Sequence, residues 1–143
     1  MVKGVRSTGV EYDAVLAINR GGLIPGVYIS NQLDIPLGVV DVNSYDGMVQ
    51  REFKYNGWLL PPNLPFKPNV LIVDDIIDSG KSIVMVSEMV GVVANKVGIC
   101  VGIKRKGVSL ERIPEDIPVV YIKDVNPGVW VAFPYEKPIT IEG

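Results

Sequence analysis

The stretch Val70-Leu71-Ile72-Val73-Asp74-Asp75-Ile76-Ile77-Asp78-Ser79-Gly80-Lys81-Ser82 decides how this chain is read. Its opening, VLIVD, is the short continuous apolar run of a strand buried on both faces. Two carboxylates follow. A turn of small residues, hydroxyls and one glycine leads directly into Ser82 to Asn95, where Ile83, Val86, Met89, Val90 and Val93 form one helical stripe. Such a strand–turn–helix junction aims several backbone N–H groups at one point, at the positive end of a helix dipole, and so makes an anion site. Gly80 lets the backbone approach a phosphate closely, and Ser79 and Ser82 add hydroxyl donors. Carboxylates beside a phosphate repel it, so two of them there must have work of their own. Accepting hydrogen bonds from a sugar diol is such work, and a magnesium ion on the same hydroxyls would balance the charge.

Two other readings of the string are weaker. GKS at Gly80 to Ser82 suggests a Walker A loop, but that motif needs glycine five positions before Gly80, where Asp75 stands. Simple helix capping needs one of Asp78 or Ser79 and leaves the rest of the string unexplained.

Outward from this segment the alternation of strand and helix continues. Asp13 to Asn19 (DAVLAIN) reads as a buried strand, Arg20-Gly21-Gly22 as a break, and Leu23 to Leu33 as a helix with Pro25 tolerated in its first turn. Ile35 to Val42, Val97 to Ile103 and Pro118 to Ile122 read as further strands, and no helix is read before Asp13. Gly91 costs the second helix about 1 kcal/mol against alanine. Asn43 to Pro68 is polar, then rich in proline (PPNLPFKPN). It is expected to be a mobile loop, with a surface hairpin as the plainer alternative. The expected fold class is α/β: one domain, 1–143, with a mostly parallel twisted sheet flanked by helices (core about 13–122) and an irregular C-terminal hood over about 123–143. Ligands in such sheets lie beyond the carboxyl ends of the strands, where each polar cluster falls.

Composition excludes several chemistries. The chain has 143 residues, 48% of them apolar, and a net charge of −2, which argues against broad nucleic-acid binding. It has no histidine, so Ser-His and Cys-His nucleophiles and histidine zinc sites are excluded. Cys100 is single, lies in an apolar run and suits a buried thiol in a reducing compartment. No apolar run is long enough to span a bilayer and no signal peptide is visible, so the expected setting is the cytoplasm.

VLIVDDIIDSGKS resembles the phosphoribosyl-pyrophosphate (PRPP) signature of type I phosphoribosyltransferases. Asn19-Arg20-Gly21-Gly22 resembles the family's pyrophosphate loop. Ser44-Tyr45-Asp46 with Gln50-Arg51-Glu52 resembles the catalytic loop of the bacterial xanthine-guanine enzymes, and Trp130 to Glu136 (WVAFPYE) the hood of 6-oxopurine enzymes. The resemblance runs from about Asp13 to about Pro138. It implies transfer of a 5-phosphoribosyl group from PRPP to guanine, xanthine or hypoxanthine, with magnesium required, and a homodimer or homotetramer. PRPP would be held by Arg20, Gly21, Gly22, Asp74, Asp75, Asp78, Ser79, Gly80, Lys81 and Ser82, and magnesium by Asp74 and Asp75, partly through water or ribose hydroxyls. Arg20 and Arg51 would neutralise the pyrophosphate and Asp78 would handle the ring proton. Ile76, Lys104, Trp130 and Val131 would hold the base: Lys104 donating to the 6-oxo group, with its neighbours Arg105 and Lys106 as alternative donors, and Trp130 stacking. The resemblance also implies a non-proline cis peptide after Arg20. Ala132 stands where the xanthine-guanine enzymes often carry an acid, which leaves the choice of 6-oxopurine open. A regulatory protein that senses PRPP or nucleotides is the competing function, and an enzyme for another base is a third.

Overall fold

The computed structural model describes residues 1–44, 53–129 and 131–133. The elements are α1 (Val2–Ser7), β1 (Ala14–Asn19), α2 (Leu23–Leu33), β2 (Leu37–Ser44), β3 (Phe53–Leu59), β4 (Asn69–Ile77), α3 (Lys81–Val93), β5 (Lys96–Arg105) and β6 (Val119–Val125). They form one six-stranded sheet in the order β3-β2-β1-β4-β5-β6. β2, β1, β4, β5 and β6 are parallel, and β3 is an antiparallel edge strand on β2.

The apolar runs become the central strands because both of their faces are covered. Val15, Leu71, Val73 and Cys100 join Val5 of α1 and Ile29 of α2 in one core layer. Leu16, Val70, Ile72, Ile99 and Val101 meet Ile83, Val86 and Val90 of α3 in the other. The α/β reading therefore holds, and helix α2 has the bounds expected of it. α2 ends at Asp34, which adopts the left-handed conformation that stops a helix (φ 54°).

Three expectations need correction. A short helix, α1, precedes the first strand, and its Val5 is buried against the core. The segment 43–68 is not all loop: β2 runs to Ser44, and Phe53–Leu59 pairs back on it, as in the hairpin alternative. The proline-rich stretch after it carries the chain from the edge, past β2 and β1, to β4 in the middle of the sheet. That lateral crossing explains its length, and it is tied down where the Pro68 carbonyl accepts the Asn95 N–H at 2.9 Å. Lastly, β4, β5 and β6 each run two or three residues further than their apolar runs suggest. Ile76 pairs with Ile103 and Ile77 with Lys104, so the acidic doublet lies within the sheet rather than after it.

Candidate active site

Three chain segments converge at the carboxyl ends of β1, β4 and β5. The first is the turn from β1 into α2. Here the Asn19–Arg20 peptide is cis, one bond earlier than expected. The Gly22 N–H donates to the Ile18 carbonyl at 2.8 Å and the Leu23 N–H to the Arg20 carbonyl at 3.0 Å, so the turn closes tightly. Both glycines are needed for closeness. A Cβ on Gly22 would lie 2.3 Å from the Val73 carbonyl oxygen, and one on Gly21 would lie 2.3 Å from the Asp75 carboxylate. The Arg20-Gly21-Gly22 turn therefore rests directly on β4 and on one member of the acidic doublet. Arg20 itself is exposed.

The second segment is the doublet. The Asp75 N–H donates to Asp74 Oδ1 at 2.8 Å. Asp74 is only 9% exposed. Burial first, then the charge of Asp75 and a side-chain hydrogen bond with it, raise the Asp74 pKa well above the ordinary carboxyl value, while the Asp75 N–H opposes that shift. Two carboxyl groups in contact must share either a proton or a cation. Oxygen donors of this kind suit a hard ion such as magnesium, which takes one or two carboxylates and keeps water or substrate oxygens.

The third segment is the loop into α3. Gly80 is the N-cap, in the left-handed region at φ 83°, and no side chain caps the helix. Ser79 Oγ accepts only a long 3.4 Å bond from the Lys81 N–H. Capping is therefore not what Asp78 and Ser79 do. Gly80 is buried against Val108 and Leu110, whereas Asp78, Ser79 and Lys81 are exposed and Ser82 is half-buried at the head of the helix.

Of the residues expected to hold the base, Lys104 has its Nζ 3.6 Å from Asp124, its partner on β6, and 5.6 Å from the centre of the Tyr121 ring. Ile76 is half-buried on β4 beside Ile103, and Val131 is half-buried. Arg51 and Trp130 lie outside the described residues, as do Tyr45, Asp46, Gln50, Glu52, Pro134, Tyr135 and Glu136. Sequence reasoning considered Arg105 only as an alternative to Lys104 for the 6-oxo donor, and gave it no part in holding Asp78 or the turn after β6. Its Nε donates to Asp78 Oδ1 at 3.1 Å and its Nη1 to the carbonyls of Asn126 (3.1 Å) and Val129. Only the pattern Lys104-Arg105-Lys106 hinted at it, and a run of cations at a strand end ordinarily means solvent.

Two clefts open here. One, about 330 Å³, lies between Asp75, Gly102 and Phe133 with Pro25 and Ile122 as walls. The other, about 250 Å³, lies between Asp78, Arg105 and Gly128. Larger hollows of about 490 and 470 Å³, around Tyr12 and around Pro118, lie away from these segments and lack the acidic doublet and the glycine turns.

Comparison with known proteins agrees with this geometry. The family model described as "Phosphoribosyl transferase domain" matches residues 2–136. The chain is 28% identical over 135 residues to a xanthine-guanine phosphoribosyltransferase of Cereibacter sphaeroides, covering 86% of this chain and 68% of that protein. The structure of a purine phosphoribosyltransferase from Pyrococcus horikoshii superposes with a TM-score of 0.75 at 30% identity, covering 99% of this chain and 87% of the other. A hypothetical protein from Neisseria gonorrhoeae, solved with bound ppGpp, superposes with a TM-score of 0.72 at 29% identity over 88% of this chain and 78% of the other. With its glycine turn, acidic doublet and helix-entry loop in one place, the chain belongs to the phosphoribosyl transferase domain family and is a PRPP-dependent phosphoribosyltransferase of the purine group.

Proposed function

We propose that this protein transfers the 5-phosphoribosyl group of PRPP to a ring nitrogen of a 6-oxopurine and releases pyrophosphate. One observation carries the reading: the Arg20-Gly21-Gly22 turn packs directly on Asp75 of the Asp74–Asp75 doublet, and the strand that carries the doublet runs on into the loop that opens α3. PRPP has a sugar diol between two phosphate groups, and this order of groups matches it. The amides of Ser79 to Ser82 and the serine hydroxyls take the 5′-phosphate. The doublet accepts from the ribose hydroxyls. Arg20 and the amides of Gly21 and Gly22 take the pyrophosphate, where negative charge grows as the C1′–oxygen bond breaks. Asp78 accepts the proton that the purine nitrogen loses as its bond to C1′ forms. Asp74 and Asp75 would hold magnesium, which when bound would supply further neutralisation of the pyrophosphate. Arg51 closes over the pyrophosphate to exclude water, and Trp130 stacks on the base with Ile76 and Val131 nearby.

Base choice rests on Lys104, an ammonium at the end of β5 that favours a 6-oxo acceptor over the 6-amino group of adenine. In the structure it is paired with Asp124, so binding of the oxo group competes with that pair. A dimer or tetramer in the cytoplasm belongs to the same reading. The exposed apolar face of α2 (Ile24, Val27, Tyr28) suits a second copy, and the unpaired Cys100 suits a reducing compartment.

A second reading is favoured by the relative that binds ppGpp: the same pocket senses a guanine nucleotide. A panel of free bases with PRPP and magnesium, read by pyrophosphate release, separates the two. Release is expected with guanine, xanthine or hypoxanthine and not with adenine. No release with any base, together with calorimetric binding of ppGpp, establishes the sensor instead.

A further inference from the structure

Arg105 is charged, yet its side chain is only 14% exposed, and such a group is kept inside by its partners. The backbone beneath it is firmly set. Arg105 pairs in register with Val125, and its carbonyl accepts the Val108 N–H. The guanidinium then reaches in two directions. Nε meets Asp78 at the mouth of the phosphate loop. Nη1 meets two carbonyls of the turn Asn126-Pro127-Gly128-Val129, in which the Val129 N–H bonds the Asn126 carbonyl and Gly128 has φ 83°. Proline followed by a positive-φ glycine is a stiff turn. The next residue in the chain is Trp130.

From this geometry we infer that Arg105 is the positioning residue that locks the base-side segment to the phosphate loop. It rests on the reading of Asp78 and Trp130 as base-facing groups. The fork holds Asp78 through Oδ1 alone, and among the described residues Oδ2 accepts no hydrogen bond, so one carboxylate oxygen is held while the other stays available to the base. The same fork fixes the turn 126–129, which directly precedes Trp130 in the sequence. The ion pair itself adds little stability, because Asp78 is 75% exposed. What it contributes is geometry, and a lysine cannot reproduce that, having one nitrogen where the fork uses two.

The test compares wild type, Arg105→Ala and Arg105→Lys as full chains, by steady-state kinetics with PRPP and guanine and by amide hydrogen exchange. Arg105→Ala is expected to raise KM for the base ~10-fold while KM for PRPP stays within about twofold, since only base-side positioning is lost. Exchange in the turn 126–129, read at the Val129 N–H that bonds the Asn126 carbonyl, is expected to accelerate, and Arg105→Lys to recover part of both effects. If Arg105→Ala does not fold, Arg105→Lys carries the same comparison, with smaller changes in the same two quantities. Equal changes in both KM values, no change in either, or wild-type exchange at 126–129 overturns the inference. If the wild-type protein is inactive with every base, the proposed reaction fails and exchange at 126–129 alone decides the role of Arg105.

Discussion

At the scale of single residues, Asp74 shows how the site stores its chemistry. Burial chiefly, and Asp75 next, raise its pKa well above the usual carboxyl range. A carboxyl whose folded pKa is raised binds its proton more tightly folded than unfolded. Its contribution to stability is full below the ordinary aspartate value of about 3.9 and is lost as pH rises through the folded value. Asp74→Asn removes the titration while keeping the shape. The variant is expected to melt higher than wild type at pH 8, with the advantage shrinking steadily toward pH 4 and PRPP affinity weakened throughout. Thermal melts across that range check it, and a pH-independent difference would refute this account of Asp74.

At the scale of elements, the turn between β1 and α2 sets two adjacent glycines against neighbours of different stiffness. Gly22 is walled by backbone, the Val73 carbonyl and the Ile18 amide and carbonyl, which cannot yield. Gly21 faces the Asp75 carboxylate, which can rotate away. Gly22→Ala is therefore expected to cost stability by about 1–3 kcal/mol, as other overpacked sites do. Gly21→Ala should leave the melting temperature near that of wild type and weaken PRPP binding by displacing Asp75. Denaturant unfolding paired with PRPP calorimetry reads both, and the reverse pattern would show the turn to be misassigned. The long β4 teaches a related point. The apolar run ends at Val73, but pairing of Ile76 with Ile103 and of Ile77 with Lys104 carries the strand on through its acidic residues. Neighbouring strands satisfy backbone groups whatever the side chains prefer.

At the scale of the molecule, Cys100 reports on the core. It is wholly buried on β5, in register with Val73 and Val120, and burial pushes its thiol pKa up to about 11. The nucleophile is the thiolate, so the folded protein is expected to resist a disulfide reagent at pH 8 and to react at one thiol per chain only on unfolding. Rapid labelling of the native protein would contradict the central place of β5.

What the amino-acid order determined by itself was local: buried runs, glycine breaks, the helical stripe of α3 and the acid-rich string that ends β4. These signals are legible because each depends on residues a few positions apart. The sheet order was not legible, since the placing of β1 between β2 and β4 is set by pairing between residues far apart in the chain. Tertiary structure alone decided that Gly21 rests on Asp75, that the proline-rich stretch crosses from edge to centre, and that Arg105 bridges Asp78 to the turn before Trp130. Arg105 looks like a solvated strand-end cation in sequence because its partners lie 27 residues before it and 21 and 24 residues after it, and only folding brings them within reach of one guanidinium.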